Sequence, residues 1–306
     1  MKSAFTRRRF LQASAAAATL APFTSGHLAA AQSDPVKKTI PSSGEKLSVI
    51  GLGTSRTFDV NAEQAAQSPL LEVMRAFFDQ GGQLIDSSPM YGSAEAVSGA
   101  LLQALGKPPE LFSATKVWTY GKREGIEQMQ RSMQRLGVKS IDLMQIHNLR
   151  DWQVQLETLL EWKAQGLVRY IGITTSHGRY HDELETILQN QPLDFVQFSY
   201  NIGNRDAERR LLPIAHERGI ATLINRPYQR GSLFRKVKGR PLPEWASEID
   251  CASWGQFFLK FIASHPDVTC IIPATSKLKH MVDNMAAGYG RLPDAALRKR
   301  MIETIA

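Results

Sequence analysis

The sequence predicts an α/β chain closed into a (β/α)8 TIM barrel, and three observations carry that reading. Short apolar runs bounded by polar or turn residues recur eight times, at 49–53, 83–86, 111–116, 141–147, 168–174, 195–200, 221–225 and 269–273, with helix-period stretches between them. Several of those helices run into a glycine just past the last turn, at Gly81, Gly137, Gly166 and Gly219, where a left-handed C-cap is favoured. Alternating strands and helices make a parallel sheet, and eight pairs over about 275 residues favour closure over an open sheet.

The first 31 residues stand apart from the fold. Thr6-Arg7-Arg8-Arg9-Phe10-Leu11-Gln12 leads into an alanine-rich run, no acidic residue occurs before Asp34, and Ala29-Ala30-Ala31 offers a small-residue cleavage pattern. The segment resembles a twin-arginine signal, with Gln12 where lysine is common. That resemblance implies the twin-arginine export machinery as a partner and a periplasmic location. The alanine run is too short and too weakly apolar to remain as a membrane span after cleavage. Two regions follow: a signal peptide at 1–31 and a single barrel domain at 32–306.

The chain has a net charge of +8, from 37 basic and 29 acidic residues. Lys2, Arg7, Arg8 and Arg9 leave with the signal, so 33 basic residues face 29 acidic ones and the mature charge is +4. That balance, without a basic run interleaved with aromatics, gives no nucleic-acid partner. Cys251 and Cys270 are the only thiols, and no histidine or aspartate pattern accompanies either, so they are expected as buried free thiols rather than a disulfide or metal site.

Before the barrel, 37–40 and 46–49 flank Pro41-Ser42-Ser43-Gly44 and read as an N-terminal β-hairpin. Helices are expected at 69–80, 126–136, 153–165 and 207–218, with an extra C-terminal helix at 293–304.

A barrel places its chemistry where the strands end at their C-terminal face. Asp86, Lys116 and His147 fall at that end of the second, third and fourth strands, and Tyr91 follows Asp86 on the next loop. A phenol titrates near ~10 and is a poor proton donor near neutrality; an adjacent ammonium, here Lys116, is expected to lower that value. Asp86 would keep Lys116 charged despite burial, and His147 would orient a carbonyl oxygen. Together they form a polarised, protonatable oxyanion site suited to carbonyl reduction if a hydride donor lies opposite.

Leu84-Ile85-Asp86-Ser87-Ser88-Pro89-Met90-Tyr91-Gly92-Ser93-Ala94-Glu95, Ser113-Ala114-Thr115-Lys116 and Ile141-Asp142-Leu143-Met144-Gln145-Ile146-His147-Asn148 resemble, in order and spacing, the signatures of the aldo/keto reductase family. The resemblance runs from about Leu47 to Asn284. It implies a catalytic tetrad of Asp86, Tyr91, Lys116 and His147, with Tyr91 as general acid in reduction and general base in alcohol oxidation. The hydride must come from a cofactor, and the resemblance implies NADP(H), with NAD(H) as the alternative, bound without a Rossmann domain. Gly51-Leu52-Gly53-Thr54-Ser55-Arg56 accordingly lacks the third glycine of the dinucleotide fingerprint.

By the same resemblance, Gly53 passes beneath the cofactor, Thr174 and Gln197 bind its carboxamide, and Asn284 contacts its adenine. Asn225 stands where many members have a stacking tyrosine, so Arg226 or Tyr228 is expected to replace that support. Thr275 and Lys277 open the segment that resembles the phosphate-binding helix start. Ala274 and His280 replace its usual lysine and arginine, and Lys277 or Lys279 is expected to compensate. Met90, Trp118 and Tyr228 are the expected pocket walls for a small carbonyl substrate. A second reading keeps the same barrel as a catalytically slow dinucleotide-binding redox sensor or regulatory subunit.

Overall fold

The computed structural model describes residues 34–305, so the expected signal at 1–31 lies outside the described residues. A two-stranded antiparallel hairpin, β1 (Lys37–Thr39) and β2 (Lys46–Ser48), comes first. Eight parallel strands then pair in sequence order: β3 (Leu52–Gly53), β4 (Leu84–Asp86), β5 (Phe112–Val117), β6 (Ile141–His147), β7 (Val168–Thr174), β8 (Phe195–Ser199), β9 (Ala221–Asn225) and β10 (Cys270–Ile271). The first and last of them meet through backbone hydrogen bonds. Gly51 N–H donates to Ile271 O at 2.8 Å, Ile271 N–H to Val49 O at 2.9 Å and Gly53 N–H to Pro273 O at 3.0 Å. The ring is therefore the expected (β/α)8 barrel.

Its outer layer comprises α1 (Leu70–Asp79), α2 (Ala94–Ala104), α3 (Lys122–Leu136), α4 (Trp152–Ala164), α5 (His181–Asn190), α6 (Leu211–Glu217), the short α7 (Ser232–Lys236), α8 (Trp254–Ala263) and α9 (Leu278–Ala286), with α10 (Ala295–Ile305) as the extra helix. The four expected C-cap glycines all take positive φ, between 63° and 72°. The helix expected at 207–218 is broken: a 3-10 turn at Asp206–Glu208 precedes α6. Pro213 is the reason, since it has no N–H to give to the preceding turn and is tolerated only near a helix start. Among the described residues no helix is long and apolar enough to cross a membrane.

Side chains two apart on a strand share a face, and this period sorts the barrel interior into levels. Leu84, Phe112, Leu143, Tyr170, Phe195, Leu223 and Cys270 form an inner apolar cluster, closed by Ile40 and Leu47 beside and within the hairpin. Two residues further along, the inward positions become polar: Asp86 on β4, Lys116 on β5 above Ala114, Gln145 on β6 and Gln197 on β8. A larger apolar cluster fills the space between the strands and the helices. Both cysteines are buried and free; burial pushes the Cys251 thiol up to about 12 and raises Cys270 as well.

The closing seam explains the two early glycines. A Cβ on Gly51 would lie 2.9 Å from Leu84 O and 3.0 Å from Cys270 Sγ, and one on Gly53 would lie 2.8 Å from Ile272 O. Their missing side chains let the first strand press against its neighbours. Gly51→Ala should lower the unfolding free energy by about 1–3 kcal/mol, the usual cost of overpacking. Equilibrium denaturation in urea tests this, and an unchanged midpoint would show that the seam has room to spare.

Candidate active site

Three strand ends and one loop assemble the site. The Lys116 ammonium, fully buried, donates to Asp86 Oδ2 at 2.6 Å and to Ser87 O at 2.7 Å. It lies 5.1 Å from the centroid of the Tyr91 ring, and the His147 ring stands edge-on to Tyr91 at 5.7 Å. All four expected tetrad residues are thus together. Tyr91 is placed by a latched loop: its N–H donates to Ser88 O at 2.9 Å, Gly92 turns at φ 62°, and Ser93 binds Asp59 Oδ1 through both its N–H and Oγ at 3.0 Å. A side chain on Gly92 would collide with the Asp59 carboxylate.

The protonation states follow from burial and partners. Burial pushes the Tyr91 phenol above its ordinary value, and the Lys116 ammonium pulls it back only in part, with Asp86 opposing Lys116. The expected lowering is therefore reversed, because burial outweighs the Lys116 ammonium and Asp86 offsets part of that charge. Burial also works against the Lys116 charge, but Asp86 and Tyr91 outweigh it and hold the ammonium above the ordinary lysine value. His147 is pushed down to about 2 by burial and by Lys116 and Arg150, so it is neutral.

Ser88 meets the Nδ1 side of the His147 ring. Its Oγ, fully buried, accepts from Met90 N–H at 3.2 Å and lies 2.9 Å from His147 Nδ1. The hydroxyl can donate to Nδ1, an arrangement that puts the ring hydrogen on Nε2. Trp118 flanks the imidazole at 6.4 Å, with the Arg150 guanidinium 4.2 Å above the indole.

A carboxamide network lies behind the ion pair. Gln145 Nε2 and Gln197 Nε2 both donate to Asp86 Oδ1 at 3.0 Å, and Gln197 Nε2 also donates to Gln145 Oε1 at 3.1 Å. Asn225 Nδ2 donates to Thr175 O at 3.0 Å and to Gln197 Oε1 at 3.3 Å, while Ser199 Oγ donates to Asn225 Oδ1 at 2.6 Å. Sequence reasoning missed Gln145 and Ser88. The signal was available, since each lies two residues from a tetrad member and so shares its face or turn.

The remaining expected residues divide. Thr174 Oγ1 is occupied by Asn148 N–H at 3.2 Å, whereas the neighbouring Thr175 Oγ1 is buried without a partner. Thr275 Oγ1 accepts from Lys277 N–H at 3.1 Å and shapes the entry to α9, which no side chain caps. Its first amides are therefore open, and Lys277, Lys279 and His280 gather there; burial and the two lysines keep His280 below its ordinary value. Tyr228 is not an open pocket wall: its ring packs on Phe234 at 4.8 Å and its hydroxyl donates to Asn284 Oδ1 at 2.6 Å. It ties the segment after β9 to α9. Arg226, half-buried at φ 54°, contacts His177, and Met90 is 47% exposed beside Tyr91.

The family model described as "Aldo/keto reductase family" matches residues 49–299. The chain belongs to this family. Aldo-keto reductase YhdN of Bacillus subtilis is 29% identical over 65% of this chain and 64% of its own length. Methylglyoxal reductase YeaE of Escherichia coli is 26% identical over 85% of this chain and 93% of its own. An aldo-keto reductase from Klebsiella pneumoniae, solved in complex with NADPH, superposes with a TM-score of 0.73 at 23% identity, covering 88% of this chain and 95% of that one. This aldo/keto reductase barrel shares the fold of that structure.

Removing Asp86 would strand the Lys116 charge in the interior. Asp86→Ala should cost about 3–5 kcal/mol and lower the Tm by on the order of 10 °C. Differential scanning calorimetry at neutral pH reads this directly, and an unshifted Tm would mean that Lys116 does not need its carboxylate.

Proposed function

We propose that the protein is an NADP(H)-dependent oxidoreductase that reduces aldehydes and ketones and, in reverse, oxidises alcohols. One observation carries this: a protonated phenol stands beside a charged, carboxylate-held lysine and a neutral imidazole at the mouth of a barrel. His147 Nε2–H and the Tyr91 hydroxyl bind the carbonyl oxygen, and Tyr91 passes its proton to that oxygen as the carbon is reduced. The Lys116 ammonium then stabilises the phenolate, which regains a proton from solvent. The bound nicotinamide supplies the hydride. Trp118 and Met90 flank the carbonyl.

The residues fit such a cofactor. The unpartnered, buried Thr175 hydroxyl is the group that a carboxamide would satisfy, beside the remaining lone pair of Gln197 Oε1. The uncapped α9 start with Thr275, Lys277 and Lys279 suits a phosphate and favours NADP(H) over NAD(H). Asn284, Gly53 and Asn225 would line the path between these ends.

Tyr91→Phe should lower kcat by about 10²–10⁴-fold while leaving NADPH binding, read by tryptophan quenching, little changed. Unchanged reduction of a panel of aldehydes would sink the proposal. Reduction needs Tyr91 protonated, and its value is raised. The wild-type kcat/KM should therefore hold from about pH 5 to about pH 9 and fall only above that. With His147 already neutral down to about 2, no limb belongs near the ordinary histidine value. An inflection there would contradict the neutral imidazole.

We further propose export of the folded barrel through the twin-arginine machinery, which allows a cofactor bound in the cytoplasm to travel with it. The support is the order Thr6-Arg7-Arg8-Arg9-Phe10-Leu11 ahead of the alanine run. Replacing Arg7 and Arg8 by lysine should move the protein from the periplasmic to the cytoplasmic fraction. Equal periplasmic amounts for both forms would refute this route.

A further inference from the structure

The mouth of the barrel carries positive charge without a counterion. Arg56 follows β3, Arg150 follows β6, Arg179 follows β7, and Arg226 and Arg230 follow β9, so five guanidinium groups come from four different loops on the face that holds Tyr91. Among the described residues no carboxylate pairs with any of the five. Other arginines on the chain do find acids, as Arg169 does with Glu45 and Asp142, Arg210 with Glu185 and Arg298 with Glu208, whereas Arg218, Arg235 and Arg240 do not.

Arg226, the half-buried member, is held in place, while Arg56, Arg179 and Arg230 are exposed around it. Arg226 follows Asn225 directly, its backbone carbonyl accepts from Asn201 Nδ2 at 3.0 Å, and its guanidinium contacts the His177 ring. Arg56, Arg226 and Arg230 all sit on left-handed backbone, at φ 65°, 54° and 54°, a conformation unfavourable for a side-chain-bearing residue. Burial and then the neighbouring Arg230 and Arg56 push the Arg226 guanidinium down to about 10, with Tyr91 acting in the opposite sense. Mutual repulsion and backbone cost at one spot are explained if an anion completes it.

The phosphate-fitting start of α9 lies after β10 and has its own lysines, so the cluster after β3, β7 and β9 is a second anion site, within electrostatic reach of the reacting phenol. We propose that the substrate is an anionic carbonyl compound, an oxo acid or acid aldehyde, whose carboxylate is held by Arg56, Arg179 and Arg226 while its carbonyl oxygen meets Tyr91 and His147. This rests on the reductase reading above. The competing source of the anion is the diphosphate of the cofactor.

The test compares NADPH-dependent reduction of matched pairs by the full enzyme: succinic semialdehyde against butanal, and para-carboxybenzaldehyde against benzaldehyde. The acid of each pair should have the higher kcat/KM by roughly tenfold or more, and that advantage should shrink as potassium chloride is raised. Arg56→Gln and Arg179→Gln should each cut the acid-to-neutral ratio by about tenfold. Equal kcat/KM within the pairs would overturn the proposal. A raised KM for NADPH in these variants with an unaltered ratio would also overturn it, by assigning the cluster to the cofactor diphosphate. Absence of turnover on all four compounds would instead overturn the reductase reading, and this proposal with it.

Discussion

A carboxylate inside a closed barrel has to be satisfied on both oxygens, and Asp86 meets that demand by drawing on three other strands. Lys116 from β5 takes one oxygen, and Gln145 from β6 with Gln197 from β8 takes the other. Moving such a pair out of water costs several kcal/mol per ion before the attraction repays it, so the pair is a poor way to gain stability. It persists because the interior beneath it is already filled. The apolar level formed by Leu84, Phe112, Leu143 and Phe195 closes the lower barrel, and the hairpin seals it. Water cannot reach the pair from below, so the ammonium acts on Tyr91 through a medium that screens it weakly.

The stretch from Asp86 to Ser93 then performs three linked tasks. Asp86 holds the lysine, Ser88 meets Nδ1 of His147, and on the proposed reading Tyr91 carries the proton. The loop can do this because its far end is anchored to a different segment, through Ser93 and Asp59. Gly92 makes the anchor possible, since only a residue without a side chain fits the turn against the Asp59 carboxylate.

Much of this was legible in the sequence. The periodicity located all eight strands, with β6, β7 and β9 matched at both ends, because buried parallel strands are continuous apolar runs that stop where the chain turns polar. The first and last strands were expected longer than β3 and β10, because the glycines and the seam shorten their regular pairing. The tetrad could be named from motif order. Its protonation could not: the direction of the Tyr91 shift depends on how far burial outweighs a lysine whose charge Asp86 offsets in part, and sequence carries neither distance nor depth. The same limit hid Gln145 and put the open hydroxyl at Thr174 rather than Thr175, since one residue of register decides which threonine is taken by Asn148.

The departure at Asn225 has a structural logic of its own. An aromatic ring there would offer a stacking face, whereas Asn225 uses both ends of its carboxamide, joining Gln197, Thr175 and Ser199. The network that begins at Asp86 therefore continues to the rim of the barrel and stops beside Arg226, whose backbone is in turn fixed by Asn201. The hydrogen-bonded chain thus ends at a charged residue whose backbone is fixed and whose charge is felt at Tyr91. On the proposed reading, a partly buried guanidinium close to Tyr91 selects by charge as well as by shape. A neutral carbonyl compound would leave Arg226, Arg56 and Arg179 facing one another, and an acidic one would relieve them in the same step that brings its oxygen to the proton.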